Sequence, residues 1–221
     1  DLAVYSGECL AIHTEDRRLL DGMRRLATGQ SALLGGKVLI DGQPIHRPMA
    51  RDQRVAYIAE NPSQMMLFQD MSYLRNLTFC LPRQIDSWFR RRSIYRSLRR
   101  ELTPELGAVF DKDIRDLNTQ EKYALIFRRV LLQQPRVVWK MDSVTTLIFR
   151  PQYRFSANDR ENKGFQEGWG NDVLLQQHIE RQVQLLLAKK IAVVVLIVGI
   201  YDAFPLAERT LIYKNGHLLT Q

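Results

Sequence analysis

Ile191-Ala192-Val193-Val194-Val195-Leu196-Ile197-Val198-Gly199-Ile200 is an uncharged, mostly β-branched run. A half-buried strand would alternate apolar with polar side chains, and this run has no polar face. It therefore reads as a strand covered on both sides, the signature of a sheet with layers above and below it. At ten residues it is half the length a bilayer-crossing helix needs. Upstream, Val173 to Lys189 carries helical spacing with Leu174, Ile179, Val183 and Leu186 inward, and downstream Leu211 to Tyr213, Asn215-Gly216 and His217 to Leu219 predict a hairpin.

Toward the N-terminus the same alternation continues. Leu2 to Tyr5 reads as a short strand-like start, and Cys9 to His13 as a compact apolar strand. Arg17 to Thr28 is helical through Leu19, Leu20, Met23 and Leu26, with Gly29 at its C-cap. Lys37 to Ile40 turns at Asp41-Gly42 and returns through Pro44 and Ile45, and Val55 to Ala59 is a strand ended by Asn61-Pro62. Met71 to about Leu117 is helical and Arg-rich, with breaks expected at Pro82 and Pro104. Glu121 to Gln134 is an amphipathic helix stopped by Pro135, and Val137-Val138-Trp139 is a buried strand. Arg150 to Asn171 is polar and aperiodic, a loop or insertion. The order predicts an α/β domain with a helical block in its middle.

Composition sets the outer limits. The chain has 221 residues, 45% apolar and 25% charged, which argues against disorder. Thirty-two Lys and Arg against 24 Asp and Glu give a net charge of +8. That balance fits nucleic acid, an anionic membrane surface or an acidic partner without choosing among them. Cys9, Cys80 and four scattered His supply neither metal-ligand spacing nor a disulfide framework, so a reducing, cytosolic compartment is the simpler reading. The first residue is Asp1 rather than Met, which leaves open that a natural N-terminal strand is missing and that the chain is a fragment of a longer polypeptide.

Five landmarks in order carry a resemblance. They are Gly7-Glu8-Cys9-Leu10-Ala11-Ile12, then Gly36-Lys37-Val38-Leu39-Ile40-Asp41-Gly42-Gln43-Pro44-Ile45, then Val55 to Glu60, then Leu67-Phe68-Gln69-Asp70-Met71-Ser72-Tyr73-Leu74-Arg75-Asn76-Leu77, then Ala207 to Gly216. Over nearly its whole length the chain resembles the nucleotide-binding domain of ABC transporters, with a faint likeness to the second half of sugar or nucleoside uptake ATPases. The resemblance implies a P-loop NTPase-like ABC ATPase core with an antiparallel β subdomain and a helical subdomain. It implies one domain over 1–221, the helical subdomain at about 71–117 and the polar insertion at about 150–171.

At the reacting positions the resemblance fails. A phosphate loop needs G-x-x-x-x-G-K-S/T, glycines for close backbone approach, Lys for phosphate charge and a hydroxyl for Mg²⁺. In the ungapped register the two glycines are Thr14 and Leu19, the Lys is Leu20 and the hydroxyl residue is Asp21, while Glu15 and Asp16 add negative charge. The signature L-S-G-G-Q reads Leu117-Asn118-Thr119-Gln120-Glu121. In Walker B the Mg²⁺ carboxylate is Met141 and the catalytic Glu is Asp142, unless a one-residue slip makes Asp142 the Mg²⁺ ligand, and the switch His falls on Ile200. Glu60 occupies the Q-loop position, and Tyr5 is a poor substitute for the adenine-stacking aromatic. Five nucleotide-contacting motifs without their reacting groups imply a retained fold that has lost hydrolysis.

The run Arg83 to Arg100 holds seven Arg against Asp86, with Trp88, Phe89 and Tyr95 interleaved. In the family this segment faces a membrane partner, so Arg90, Arg91 and Arg92 are the docking candidates. The bland reading is a solvated Arg face over inward aromatics. Asp111, Asp113 and Asp116 read as solvated loop acids. His13, Ser6 and Ser143 lack a catalytic context, and Met65-Met66 reads as packing at the Q-loop turn. The resemblance implies a subunit peripheral to the cytoplasmic face of the membrane. Its partners would be a permease, a competent ATPase half in a heterodimer, and a substrate-binding protein in the same complex. No cofactor is expected on this chain alone, while ATP and Mg²⁺ remain open at a shared site. Two other readings stay open: a divergent active ATPase using Asp142 with Arg17 or Arg18, and a basic module binding nucleic acid through Arg83 to Arg100.

Overall fold

The computed structural model describes residues 2–33, 35–45, 49–79, 88–142, 163–198 and 204–220, with backbone alone at Ala50, 88–91, Glu105, Asp142 and 163–173. The chain divides into two compact units, Asp1–Glu60 with Pro135–Gln221, and Asn61–Gln134.

The first unit is built on a six-stranded sheet of order β4-β5-β6-β1-β7-β8. Its strands are β1 (Cys9–Thr14), β4 (Val55–Ile58), β5 (Val137–Asp142), β6 (Ala192–Val198), β7 (Arg209–Lys214) and β8 (His217–Thr220). Five run parallel and β8 closes the edge antiparallel to β7. Every residue of β1 and six of the seven in β6 are buried, as strands covered on both faces require. On one face Leu10, Ile12, Met141, Val194, Leu196 and Leu211 form the core, with Leu19, Leu20 and Met23 of α1 (Arg17–Ala27) packed on it.

Both predicted tight turns form. Asn215 and Gly216 have φ of 50° and 85° between β7 and β8. Asp41 and Gly42 have 52° and 73° between the short strands β2 (Leu39–Ile40) and β3 (Gln43–Pro44). Two successive positive φ values are the twist a two-residue hairpin needs, which Asn-Gly and Asp-Gly tolerate.

Three expectations change in this unit. Leu2 to Tyr5 is not a strand; instead the Tyr5 N–H donates to Glu8 Oε2 at 2.7 Å and Arg209 donates to Glu8 Oε1 and to the Ala3 carbonyl. The helix before β6 is α6 (Lys163–Ala188), which begins within the stretch expected to be an insertion, while 150–162 lie outside the described residues. Leu174 is 54% exposed; from Ile179 back by one turn the inward position is Leu175, whereas Leu174 sits about 140° round the helix.

The second unit contains α2 (Pro62–Met65), α3 (Tyr73–Thr78), α4 (Trp88–Leu106) and α5 (Thr119–Gln133). Its core joins Leu67, Tyr73, Leu77, Phe110, Ile114, Leu117, Leu125 and Ile126, with Tyr73 edge-on to Phe110 at 5.3 Å between ring centres. The fully buried Asn76 accepts from the Phe68 N–H at 2.8 Å and donates to the Phe68 and Met71 carbonyls at 2.9 and 3.1 Å. Pro104 does not break α4: this close to the C-terminus it forgoes only the N–H that would reach Arg100. Pro82 lies outside the described residues. Met65, expected to pack, is 59% exposed, while Met66, at the C-cap of α2, packs on the core.

Candidate functional site

In a parallel sheet, ligand chemistry gathers at the carboxyl ends of the strands, where helix N-termini offer free N–H groups. Here that place is the junction from β1 to α1. Thr14, fully buried, ends β1, and its hydroxyl accepts from the Asp16 N–H at 2.9 Å. Asp16 caps α1 by accepting from the Arg18 N–H at 2.9 Å, and the Leu19 N–H bonds the Asp16 carbonyl at 3.0 Å. Three of the amides an incoming phosphate would take are therefore already bonded within the chain.

The same Asp16 carboxylate is gripped by Arg18, with Nε at 3.0 Å from Oδ1 and Nη2 at 3.0 Å from Oδ2. The Arg18 side chain and backbone hydrogen bonds hold the Asp16 carboxyl below its ordinary range. A fixed anion fills the slot in which a cradle would need to receive one. Leu19 and Leu20 are half-buried against the core cluster that contains Met141, itself 2% exposed. Asp21 is exposed and pairs with Arg24 at 3.1 Å. Leu20 and Met141, which the resemblance aligns with a phosphate-binding Lys and an Mg²⁺ carboxylate, thus share one hydrophobic environment, and these residues do not fit a Mg²⁺–triphosphate. A shallow cleft of about 630 Å³ opens beside them, lined by Glu15, Asp16, Arg18, Tyr213, Lys214 and Asn215.

Other positions in this unit are placed with less chemistry. Asp142 ends β5 in register with Ile197, and its side chain is outside the described residues, as is Ile200. Glu60 is half-buried after β4. Tyr5 is 68% exposed with Arg209 stacked 5.9 Å from its ring centre. Burial pushes the Cys9 thiol up to about 12, with Glu208 and Glu8 adding to the shift and Lys140 opposing it, so Cys9 is no nucleophile at neutral pH. Among the described residues no three of His, Cys, Asp or Glu cluster to hold a metal ion.

In the second unit the signature-like residues cap a helix. Asn118 Oδ1 accepts from the Glu121 N–H and Glu121 Oε2 accepts from the Asn118 N–H, both at 2.8 Å, a complete capping box. Lys112 Nζ lies 2.6 Å from Glu121 Oε1. Burial pushes the Glu121 carboxyl up, but the Lys112 and Asn118 hydrogen bonds outweigh it and the net direction is down. Thr119 and Gln120 are exposed on the first turn. The residue pattern Asn118-x-x-Glu121 was itself a capping-box signal. Asp111 pairs with Arg99 at 2.7 Å and Asp113 caps a short turn through the Arg115 N–H at 2.9 Å.

Arg92 is exposed on α4; the side chains of Arg90 and Arg91 are outside the described residues. Sequence reasoning missed an exposed apolar group in this unit, Met65, Phe68 at 39% and Phe79 at 54% exposure, the two rings 4.5 Å apart. Large apolar side chains that stay in water beside a well-formed core are the signal that marks a contact surface.

No protein-family model matches the chain, and no curated protein matches it. A solved structure does: CbiO1 from Clostridium perfringens, described as part of the ABC transporter complex cbiONQ, superimposes with a TM-score of 0.62 at 15% identity, over 99% of this chain and 78% of that one. The chain has the fold of an ABC transporter ATPase subunit, an α/β P-loop-type core on a mostly parallel sheet.

Proposed function

We propose that this protein is a non-hydrolysing or weakly active ATP-binding subunit of an ABC-type transporter, one that scaffolds a membrane permease while a competent ATPase partner supplies the motion. One observation carries the reading: Leu20 packs against the cluster that holds Met141, where nucleotide chemistry needs an ammonium and a carboxylate. Without those two charges the β1–α1 junction offers a triphosphate only Arg17 and the already paired Arg18, and the Asp16 carboxylate repels it. A divergent active site built on Arg18 is disfavoured because Asp16 already binds that guanidinium at two positions.

The permease contact is assigned to the second unit, through Met65, Phe68 and Phe79 and the arginines Arg90, Arg91 and Arg92, with the Glu60 loop of the first unit as a further docking element. Apolar side chains supply contact area and the arginines supply steering. CbiO1, which shares the fold, is part of a transporter complex. No helix among the described residues is long and apolar enough to cross a membrane. The proposed subunit sits peripherally on the cytoplasmic face. In a heterodimer, ATP and Mg²⁺ would be held chiefly by the partner's phosphate loop, with Asn118, Thr119 and Gln120 opposite; a substrate-binding protein completes the assembly.

Equilibrium dialysis of the isolated chain with labelled ATP and Mg²⁺ tests this. Retention no greater than that of a non-binding control is expected. Tight, Mg²⁺-dependent retention overturns the reading, as does turnover that disappears in Asp142→Asn.

A further inference from the structure

We infer that the outer face of α4 is a contact for an anionic lipid surface. The helix carries Arg90, Arg91, Arg92, Arg96, Arg99 and Arg100 against Glu101 and Glu105, so half of the chain's net charge of +8 lies in 19 residues. Arg92, Arg96 and Arg100 recur every four residues and are all exposed, a row about 12 Å long on one side of the helix. The opposite side is the anchored one. Ile94, Tyr95, Leu98 and Leu102 are half-buried, Leu102 and Leu106 pack on the core of the unit, and the Tyr95 hydroxyl accepts from Thr78 Oγ1 at 3.3 Å. The fold thus fixes the helix by its apolar side and presents the arginine row outward.

Arg99 stands apart from the row, tied to Asp111 at 2.7 Å. A straight row on a convex helix meets a flat anionic plane along its whole length, and guanidinium groups bind phosphate and carboxylate oxygens in pairs. This inference rests on the proposed permease-scaffold function, which sets the second unit beside lipid headgroups; it adds the bilayer itself as a partner.

The full chain is tested by flotation with phosphatidylcholine vesicles containing roughly one-third phosphatidylserine, against phosphatidylcholine alone. Binding only to the serine-lipid vesicles, weakening with salt, is expected. Each Arg→Gln change should lower partitioning about five-fold and the triple variant Arg92→Gln/Arg96→Gln/Arg100→Gln about 100-fold, with the triple Arg→Lys variant retaining binding. An unchanged far-UV spectrum shows that the glutamine variant still folds. Equal binding to uncharged vesicles, retention in the glutamine variant, or displacement by duplex RNA in preference to vesicles overturns the inference. Capture of the chain by a permease without vesicle binding removes the lipid contact and leaves the scaffold reading intact.

Discussion

The Asp16 carboxylate accepts the backbone N–H of Arg18 at 2.9 Å and its guanidinium at 3.0 Å, so a single side chain occupies the N-terminus of α1. In the second unit Asn118 caps α5 by accepting the Glu121 N–H, and Glu121 reaches back to the Asn118 N–H. The N-termini of α1 and α5 are thus both capped by the chain's own side chains. Capping of this kind stabilises a helix end without a ligand.

Acid should reopen the first of these caps. Arg18 holds the Asp16 carboxyl below its unfolded value of 3.8, so its contribution is present above that pH and is lost as pH falls through the lower folded value. Hydrogen exchange at the Arg18 and Leu19 amides should therefore accelerate below about pH 4, relative to the intrinsic rate. Asp16→Asn keeps an acceptor at every pH and should flatten the profile; two identical profiles would remove the cap from the explanation.

Restoring the lost groups should cost stability before it restores chemistry. Met141→Asp places an unpaired carboxylate at a position 2% exposed and should lower the unfolding free energy by about 3–5 kcal/mol in urea titration. Leu20→Lys should cost less, about 1–2 kcal/mol, since its long stem can carry the ammonium to solvent. The double variant should still fail to retain ATP in dialysis, because Asp16 and the bonded amides remain. Micromolar binding by that variant would show that the two slots alone decide affinity.

Much of this architecture was legible because local chemistry left little choice. The uncharged, β-branched run that starts at Ile191 reads as a doubly covered strand, which Ala192–Val198 forms, and Asn215-Gly216 and Asp41-Gly42 name their turns. Leu174 was misplaced for a simpler reason: Leu174 and Leu175 are adjacent leucines, and only the packed register shows which faces in. The apolar character that puts Leu20 and Met141 in one core cluster was readable from residue type. That both helix N-termini are closed was not read, although Asp16 before a helix and Asn118-x-x-Glu121 carry capping signals. Alignment to ligand-binding motifs drew those residues into a functional frame and hid their local role.

Asn76 holds the 68–72 loop through its buried amide, which bonds Phe68 on both its N–H and its carbonyl. Asn76→Ala leaves at least one donor and two carbonyls without that partner and should cost about 2–4 kcal/mol. Amide exchange at Phe68 should accelerate in the variant while exchange in the centre of α5 keeps pace only with global unfolding. Equal acceleration at both places would mean that the loop is not a separate opening unit.

Cys9 supplies an alkaline counterpart to the Asp16 experiment. Its thiol titrates at about 12 in the folded chain against 9.0 unfolded, so the folded state keeps a proton that the unfolded state loses. Stability should be unaffected by this group below pH 9 and should fall by up to about 1.4 kcal/mol per pH unit above it. Urea unfolding of Cys80→Ser at pH 8, 9, 10 and 11 measures the slope, and the further change Cys9→Ala should make it shallower. A thiol reagent that modifies native Cys9 at pH 8 faster than unfolding would contradict both its burial and its raised pKa.

The exposed rings Phe68 and Phe79 offer the most direct test of what the second unit is for. Their side chains are half exposed, at 39% and 54%, and touch each other, so Phe79→Ser removes one ring pair and should cost about 1–2 kcal/mol without unfolding the chain. If the surface docks a permease, the same change removes a central aromatic anchor and should weaken co-purification from detergent at least ten-fold, the range expected for an interface hot spot. Phe79→Leu should recover part of the loss through its apolar area. A variant that folds, loses no partner and merely becomes more soluble would show that the ring pair is surface decoration, and the docking assignment would have to move to α4 alone.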